Sequence, residues 1–168
     1  LKALAAEDRE KYERFWVEFG PVVKEGLLDF EEKRERILDL VLAPTSSEET
    51  KLSSLAEYVE RMPEDQEAIY FIAGPKLDVL RRSPHLEAFK EKGIEVLFLT
   101  VPVDEVWVGQ GPISYKDKPL KSIGHGEVEL GSEEDKEKAK EALEKDQQSF
   151  ADLLEAMHSA IQDEVKEI

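Results

Sequence analysis

AIYFIAGP (Ala68–Pro75) and IEVLFLTV (Ile94–Val101) decide how this chain folds. In each, apolar residues run unbroken over a strand's length, and in the first Gly74 and Pro75 end the run. A sheet with one wet face alternates apolar and polar residues. An unbroken run this short instead predicts a strand covered on both faces, as in parallel sheets sheathed by helices. Between the two runs, Leu77 and Leu80, then Leu86 and Phe89, mark crossover helices. Ser83 is placed to cap the second, Pro84 sits where the first helical residue needs no donor, and Gly93 can close the end. Strand, helix and strand within about 30 residues predict a right-handed βαβ unit in an α/β domain.

Upstream, Tyr12, Phe15, Trp16 and Phe19 recur at spacings of three and four, which predicts one buried helical face over Glu7 to Gly20. Gly20-Pro21 reads as an interruption, after which Val22, Val23 and Leu27 continue the pattern. Phe30 to Leu42 reads as a second helix with Ile37, Leu38 and Val41 inward. The turn-rich segment Ala43–Lys51 reads as a loop. Ser54 and Glu57 then fit a capping box that opens a short helix to Met62.

Downstream, KPLKSI (Lys118–Ile123) and EVEL (Glu127–Leu130) are short extended pieces around a Gly-His-Gly turn, and Gly131-Ser132 marks a boundary. Ser132 caps a charged helix with Glu133, Glu134 and Asp135 at its positive end. Residues 131–168 carry 12 acidic and 5 basic side chains, yet Phe150, Leu153, Leu154, Met157 and Ile161 keep a helical apolar stripe. Exposure of that stripe would promote weak association of an otherwise monomeric fragment.

Composition narrows the functional classes. Among 168 residues, 39 are acidic and 23 are Lys or Arg, a formal charge of −16. Such a balance opposes binding to nucleic-acid phosphates and to anionic membranes. With no cysteine, disulfides and thiolate chemistry are excluded, which suits a reducing cytoplasm. No apolar run approaches the roughly 20 residues needed to span a bilayer, and LKALAAEDREKY is too charged for a signal peptide. A first residue Leu1, in place of Met, is what an excised fragment, a tag scar or processing would each leave.

The search for chemistry yields little. His85, His125 and His158 lie in separate elements, so no metal site is expected. Gly74 follows a strand, but a single glycine backed by Pro75 lacks a phosphate-cradling pattern; Gly109 and Gly111 are followed by Pro112. A nucleotide-binding module or enzyme using the strand ends at Gly74 and Thr100 stays open, because open α/β sheets bind ligands there. Asp104 and Glu105, read as extended, would diverge to opposite faces. Trp107, flanked by Val106 and Val108, is either a lid over the sheet edge, the default for tryptophan, or an exposed protein-contact anchor.

Several segments agree in order with one family. SLAEYVERM (Ser54–Met62), EAIYFIAG (Glu67–Gly74), the block Ser83–Glu105 and KPLKSI resemble the middle segment of the heat-shock protein 90 chaperones, especially the bacterial ones. YERFWVEFGPVVKEGLLDFEEKRERILDL (Tyr12–Leu40) resembles the helices that precede it. The resemblance implies a three-layer α-β-α sandwich with a mainly parallel sheet, preceded by a helical pair and followed by C-terminal helices. Residues 1–130 would be the C-terminal portion of the middle domain, with helices over 7–42 and the sandwich over 52–130. Residues 131–168 would link to and begin the dimerisation domain.

The resemblance further implies an ATP-dependent chaperone whose nucleotide site, with ATP and Mg, and catalytic arginine loop lie outside this chain. No cofactor and no catalysis are therefore expected of the chain itself. Partners would be partly folded client proteins, with co-chaperones possible and a homodimer in the full-length protein. By position, Asp104, Glu105, Val106 and Trp107 match the acidic-aromatic stretch that contributes to client binding. That corner is expected to turn outward as a docking edge, although Val106 stands where the family usually has an aromatic, and GQGP replaces a more helical run.

Overall fold

The computed structural model describes residues 1–29, 31–48 and 50–124. All belong to the first of the chain's two compact units, Leu1–Val128. His125, His158, EVEL and the helices expected over 131–168 lie outside the described residues.

A short helix α1 (Lys2–Glu7) precedes α2 (Arg9–Asp29), whose start is capped by Asp8, the carboxylate accepting from Lys11 N at 3.0 Å. Contrary to expectation, α2 runs unbroken through Pro21. A proline inside a helix removes one backbone bond, and here a buried stripe holds the helix together across it. Tyr12, Trp16, Gly20, Lys24 and Leu27 form that stripe. Gly20 is required by packing: a Cβ there would stand 2.9 Å from the Trp16 ring, which is fixed because its indole N–H donates to Leu42 O at 2.8 Å. Phe19 departs from the expected buried face. It is 54% exposed, and half-buried Phe15 stacks on it at 5.2 Å.

The second helix is shorter than its apolar pattern implied. After a 3-10 turn, α3 covers only Arg34–Leu38; Leu38 and Val41 are buried, and Ile37 packs against the core. Leu42 already belongs to strand β1 (Leu42–Ala43), which pairs antiparallel with β2 (Ser53–Ser54). Helix α4 (Leu55–Arg61) opens with the expected capping box: Glu57 N donates to Ser54 Oγ at 3.2 Å, and Ser54 N donates to Glu57 Oε2 at 2.7 Å.

The central sheet follows the two defining runs. Strands β3 (Ile69–Ala73) and β4 (Val96–Leu99) are parallel, with Tyr70 opposite Val96 and Ala73 opposite Leu99. Helices α5 (Leu77–Leu80) and α6 (Glu87–Glu91) lie between them in sequence, and Gly93 ends the second crossover with φ of 66°. After the segment that follows β4, β5 (Ser114–Tyr115) and β6 (Lys118–Ser122) form a hairpin. β6 adds parallel to β3, giving the order β4-β3-β6-β5.

Side chains alternate across the sheet. Ile69, Phe71, Leu97 and Leu99 join Tyr12, Trp16, Leu27 and Leu38 in one core, while Tyr70 on the other face meets Phe89 of α6 edge-on at 4.9 Å. The α-β-α sandwich is therefore present. The segment expected as a loop after β1 has a structural task. Phe98 N donates to Pro44 O and Ser46 N to Val96 O, both at 2.9 Å, so Pro44–Ser46 satisfies backbone groups that an outer strand leaves open. Thr45 is consequently only 1% exposed.

The β5–β6 turn places Lys116 and Asp117 at φ of 48° and 62°, the left-handed pair of a two-residue hairpin that favours Asn-Gly. Replacing Lys116→Asn together with Asp117→Gly is expected to raise unfolding free energy by about 1 kcal/mol, as relief of steric strain outweighs the added freedom of the unfolded glycine. A urea melt showing lower stability would contradict that strain. No described helix is long and apolar enough to cross a membrane.

Candidate functional site: the corner after β4

Beyond Leu99, Thr100 and Val101 lead into Pro102, which begins a helix, α7 (Pro102–Gly109), where an extended corner was expected. The local chemistry explains the difference. Proline at the first helical position loses no bond and supplies the required φ. Two residues later, Asp104 N donates to Val101 O at 2.8 Å, and its carboxylate Oδ2 accepts from Val101 N at 3.1 Å. Val-Pro-x-Asp was thus a helix-start signal, obscured by the strand-like run before it.

Helical geometry sorts the four candidate residues differently from an extended chain. Asp104 and Trp107, three apart, share the inner face; they are 0% and 1% exposed. Glu105 and Val106 turn outward, Val106 being 52% exposed. The expected outward edge is corrected accordingly: its outer half is Glu105 and Val106, while Asp104 and Trp107 are structural.

The buried pair belongs to a polar cluster. Lys24 Nζ lies 2.8 Å from Asp104 Oδ1 and 2.9 Å from Oδ2, and the Trp107 indole N–H donates to Oδ1 at 2.8 Å. Lys24 is 3% exposed, with its ammonium 5.9 Å from the centre of the Trp16 ring. Burying a carboxylate is costly unless it is paired and hydrogen-bonded, and these contacts meet that condition. Lys24 did not emerge from the sequence as a partner, although its place in the Trp16–Gly20–Lys24 spacing puts it on the inward face, where a charge demands a counter-charge.

Next to this cluster, Val17 and Pro21 of α2, Pro44, Leu52, Thr100 and Val101 border a groove of about 170 Å³. A second cavity of about 410 Å³ lies against Ile72, with Val79, Arg82 and Pro84 on its wall. At the strand end, Gly74 N donates to Leu99 O at 3.0 Å, and a Cβ at Gly74 would meet Leu80 Cδ2 at 2.9 Å, so Leu80 occupies the space beside it. Thr100 borders the largely apolar groove. His85 is exposed, and among the described residues no group of three or more His, Cys, Asp or Glu could hold a metal ion.

Perturbed titrations lie in braces away from those strand ends. Burial pushes Tyr58 up to about 12; its hydroxyl donates to Glu95 O and accepts from Tyr70 N, tying the starts of β4 and β3. Burial alone would raise the Glu57 carboxyl, but bonds from Ser54 and Arg9 hold it below its ordinary value. Asp39 is likewise lowered, burial being outweighed by Lys2 and the Tyr115 hydroxyl. These groups join elements and do not converge on a cavity, unlike the groups of an acid–base site.

Comparison with known proteins agrees with this organisation. Residues 1–168 match the family model described as Hsp90 protein. The chain is 49% identical over 164 residues to the chaperone protein HtpG of Nocardia farcinica, covering 97% of this chain and 25% of that protein. It is 46% identical over 168 residues to HtpG of Mycobacterium tuberculosis, covering 100% of this chain and 26% of that protein. The chain therefore spans about a quarter of the length of these curated relatives. Among solved structures, the middle domain of a Plasmodium falciparum heat shock protein aligns with a TM-score of 0.66 at 30% identity, over 74% of this chain and 52% of that one. The family match along all residues, together with a sandwich shared with a solved middle domain, makes this chain a member of the Hsp90 family with the middle-domain fold.

Proposed function

We propose that the chain is the part of a cytoplasmic, ATP-dependent chaperone that helps hold partly folded client proteins, without a nucleotide site of its own. On this reading ATP and Mg are bound elsewhere in the longer protein. Residues 131–168 begin the domain through which two copies pair, and co-chaperones are further partners. The observation that carries the client role is the outer face of α7, where Glu105 and half-exposed Val106 stand on a helix whose inner face is fixed by buried contacts. A fixed helix presenting an acid beside an apolar side chain can meet the mixed apolar and basic surface of an incompletely folded chain at little ordering cost.

The test is a titration of a reduced, carboxymethylated protein that cannot refold, with the wild-type chain and with Glu105→Lys combined with Val106→Asp. Because both positions are exposed, stability is expected to shift by less than about 0.5 kcal/mol. Client affinity is expected to fall by about tenfold, the effect of losing a central contact. Equal affinity in a variant that melts like wild type would remove these residues from the client surface.

A further inference from the structure

We infer that Lys24 and Asp104 are positioning residues that lock α7 to α2, so that the two helices open and close as one unit and hold Glu105 and Val106 in a fixed orientation. The presentation of those two residues rests on the chaperone reading above; the locking itself does not.

The inference follows from where the contacts converge. Asp104 sits in the first turn of α7, 80 residues from Lys24 in sequence, and both carboxylate oxygens face the ammonium. The same carboxylate holds Val101 N, at the end of the strand exit, and the Trp107 indole, one turn along α7. One side chain therefore fixes the beginning of α7, its rotation about its own axis and its distance from α2. On the α2 side, Trp16, Gly20 and Lys24 lie on one stripe, and Trp16 is itself tied to Leu42 O. Apolar packing alone allows a short helix to slide or rotate, because it is non-directional. A buried ion pair whose carboxylate also accepts from Val101 N and the Trp107 indole is directional, and fixing register is the best-attested use of such pairs. The sequence places Glu105 and Val106 immediately after Asp104, so any rotation of α7 re-aims them.

Hydrogen exchange in the full chain tests the lock without a client, so its failure is separate from failure of the client reading. Two variants are compared with wild type. Asp104→Asn keeps the side-chain shape and one oxygen acceptor but removes the ionic partner of Lys24. Lys24→Met with Asp104→Leu removes both charges without stranding either.

In wild type, the Val101 amide, the Trp107 indole N–H and the inward amides of α2 around Lys24 are expected to exchange with a common opening equilibrium. In both variants the main-chain amides in the second turn of α7, which are not bonded to either replaced side chain, are expected to exchange at least about tenfold faster relative to the amides of β3 and β4, measured at matched stability in stabilising osmolyte. The lock is overturned if α7 and α2 already exchange independently in wild type. It is equally overturned if the α7 protons accelerate only as much as those of β3 and β4, the signature of a general loss of stability.

Discussion

Lys24→Met is expected to lower unfolding free energy by about 3–5 kcal/mol. The substitution keeps most of the side chain's volume, so little of the loss comes from a cavity. It arises because Asp104, with no exposure, is left with a charge and no counter-charge. Adding Asp104→Leu is expected to recover part of the loss, since the double variant strands no ion. Recovery stays incomplete because Val101 N and the Trp107 indole then lose their acceptor, at about 1–3 kcal/mol. Urea denaturation of wild type, both single variants and the double variant gives the coupling energy directly. Additive losses would mean that the pair contributes no more than two independent side chains, and the energetic account of the cluster would fail.

Trp107→Ala is expected to cost a comparable ~3–5 kcal/mol, because it empties a tryptophan-sized space that surrounding elements cannot fully close. The diagnostic comparison is Trp107→Phe. That variant retains most of the apolar contact and removes the N–H donated to Asp104, so a loss of about 1–2 kcal/mol is expected. Thermal unfolding followed at a wavelength reporting backbone structure checks both. A Trp107→Ala variant as stable as wild type would place the indole outside the core. The same variant is unsuited to judging client contact, since weakened binding in it reports loss of folded protein as readily as loss of an anchor.

Much of the sandwich was legible because its signals are local or strongly periodic. The unbroken runs over Ile69–Ala73 and Val96–Leu99 became adjacent parallel strands, and Ser54 with Glu57 formed the capping box their spacing implied. The errors have a common physical source, which is long-range packing overriding a local breaker or former. Pro21 did not end α2, because its buried stripe continues on both sides. The segment after Ala43 is a loop as read, but its composition gave no sign that Thr45 would be buried against β4, whose outer backbone groups need partners.

The candidate site was half legible for the same kind of reason. Its four residues could be found by position, but which pair faces water depends on whether Pro102 ends a strand or starts a helix. A change from extended to helical geometry regroups neighbours that alternate into neighbours that share a face at a spacing of three. Lys24 could not be matched to Asp104 at all without the fold, since nothing local connects positions so far apart.

The seam formed by Pro44–Ser46 along β4 restricts how any extended polypeptide could attach to that border of the sheet. Where that seam runs, the main-chain valences of β4 are spoken for, so a visiting extended chain cannot zip on as an additional strand. Adhesion along that border has to come from side chains, which let go more readily than a continuous backbone ladder and do not propagate into fibrils.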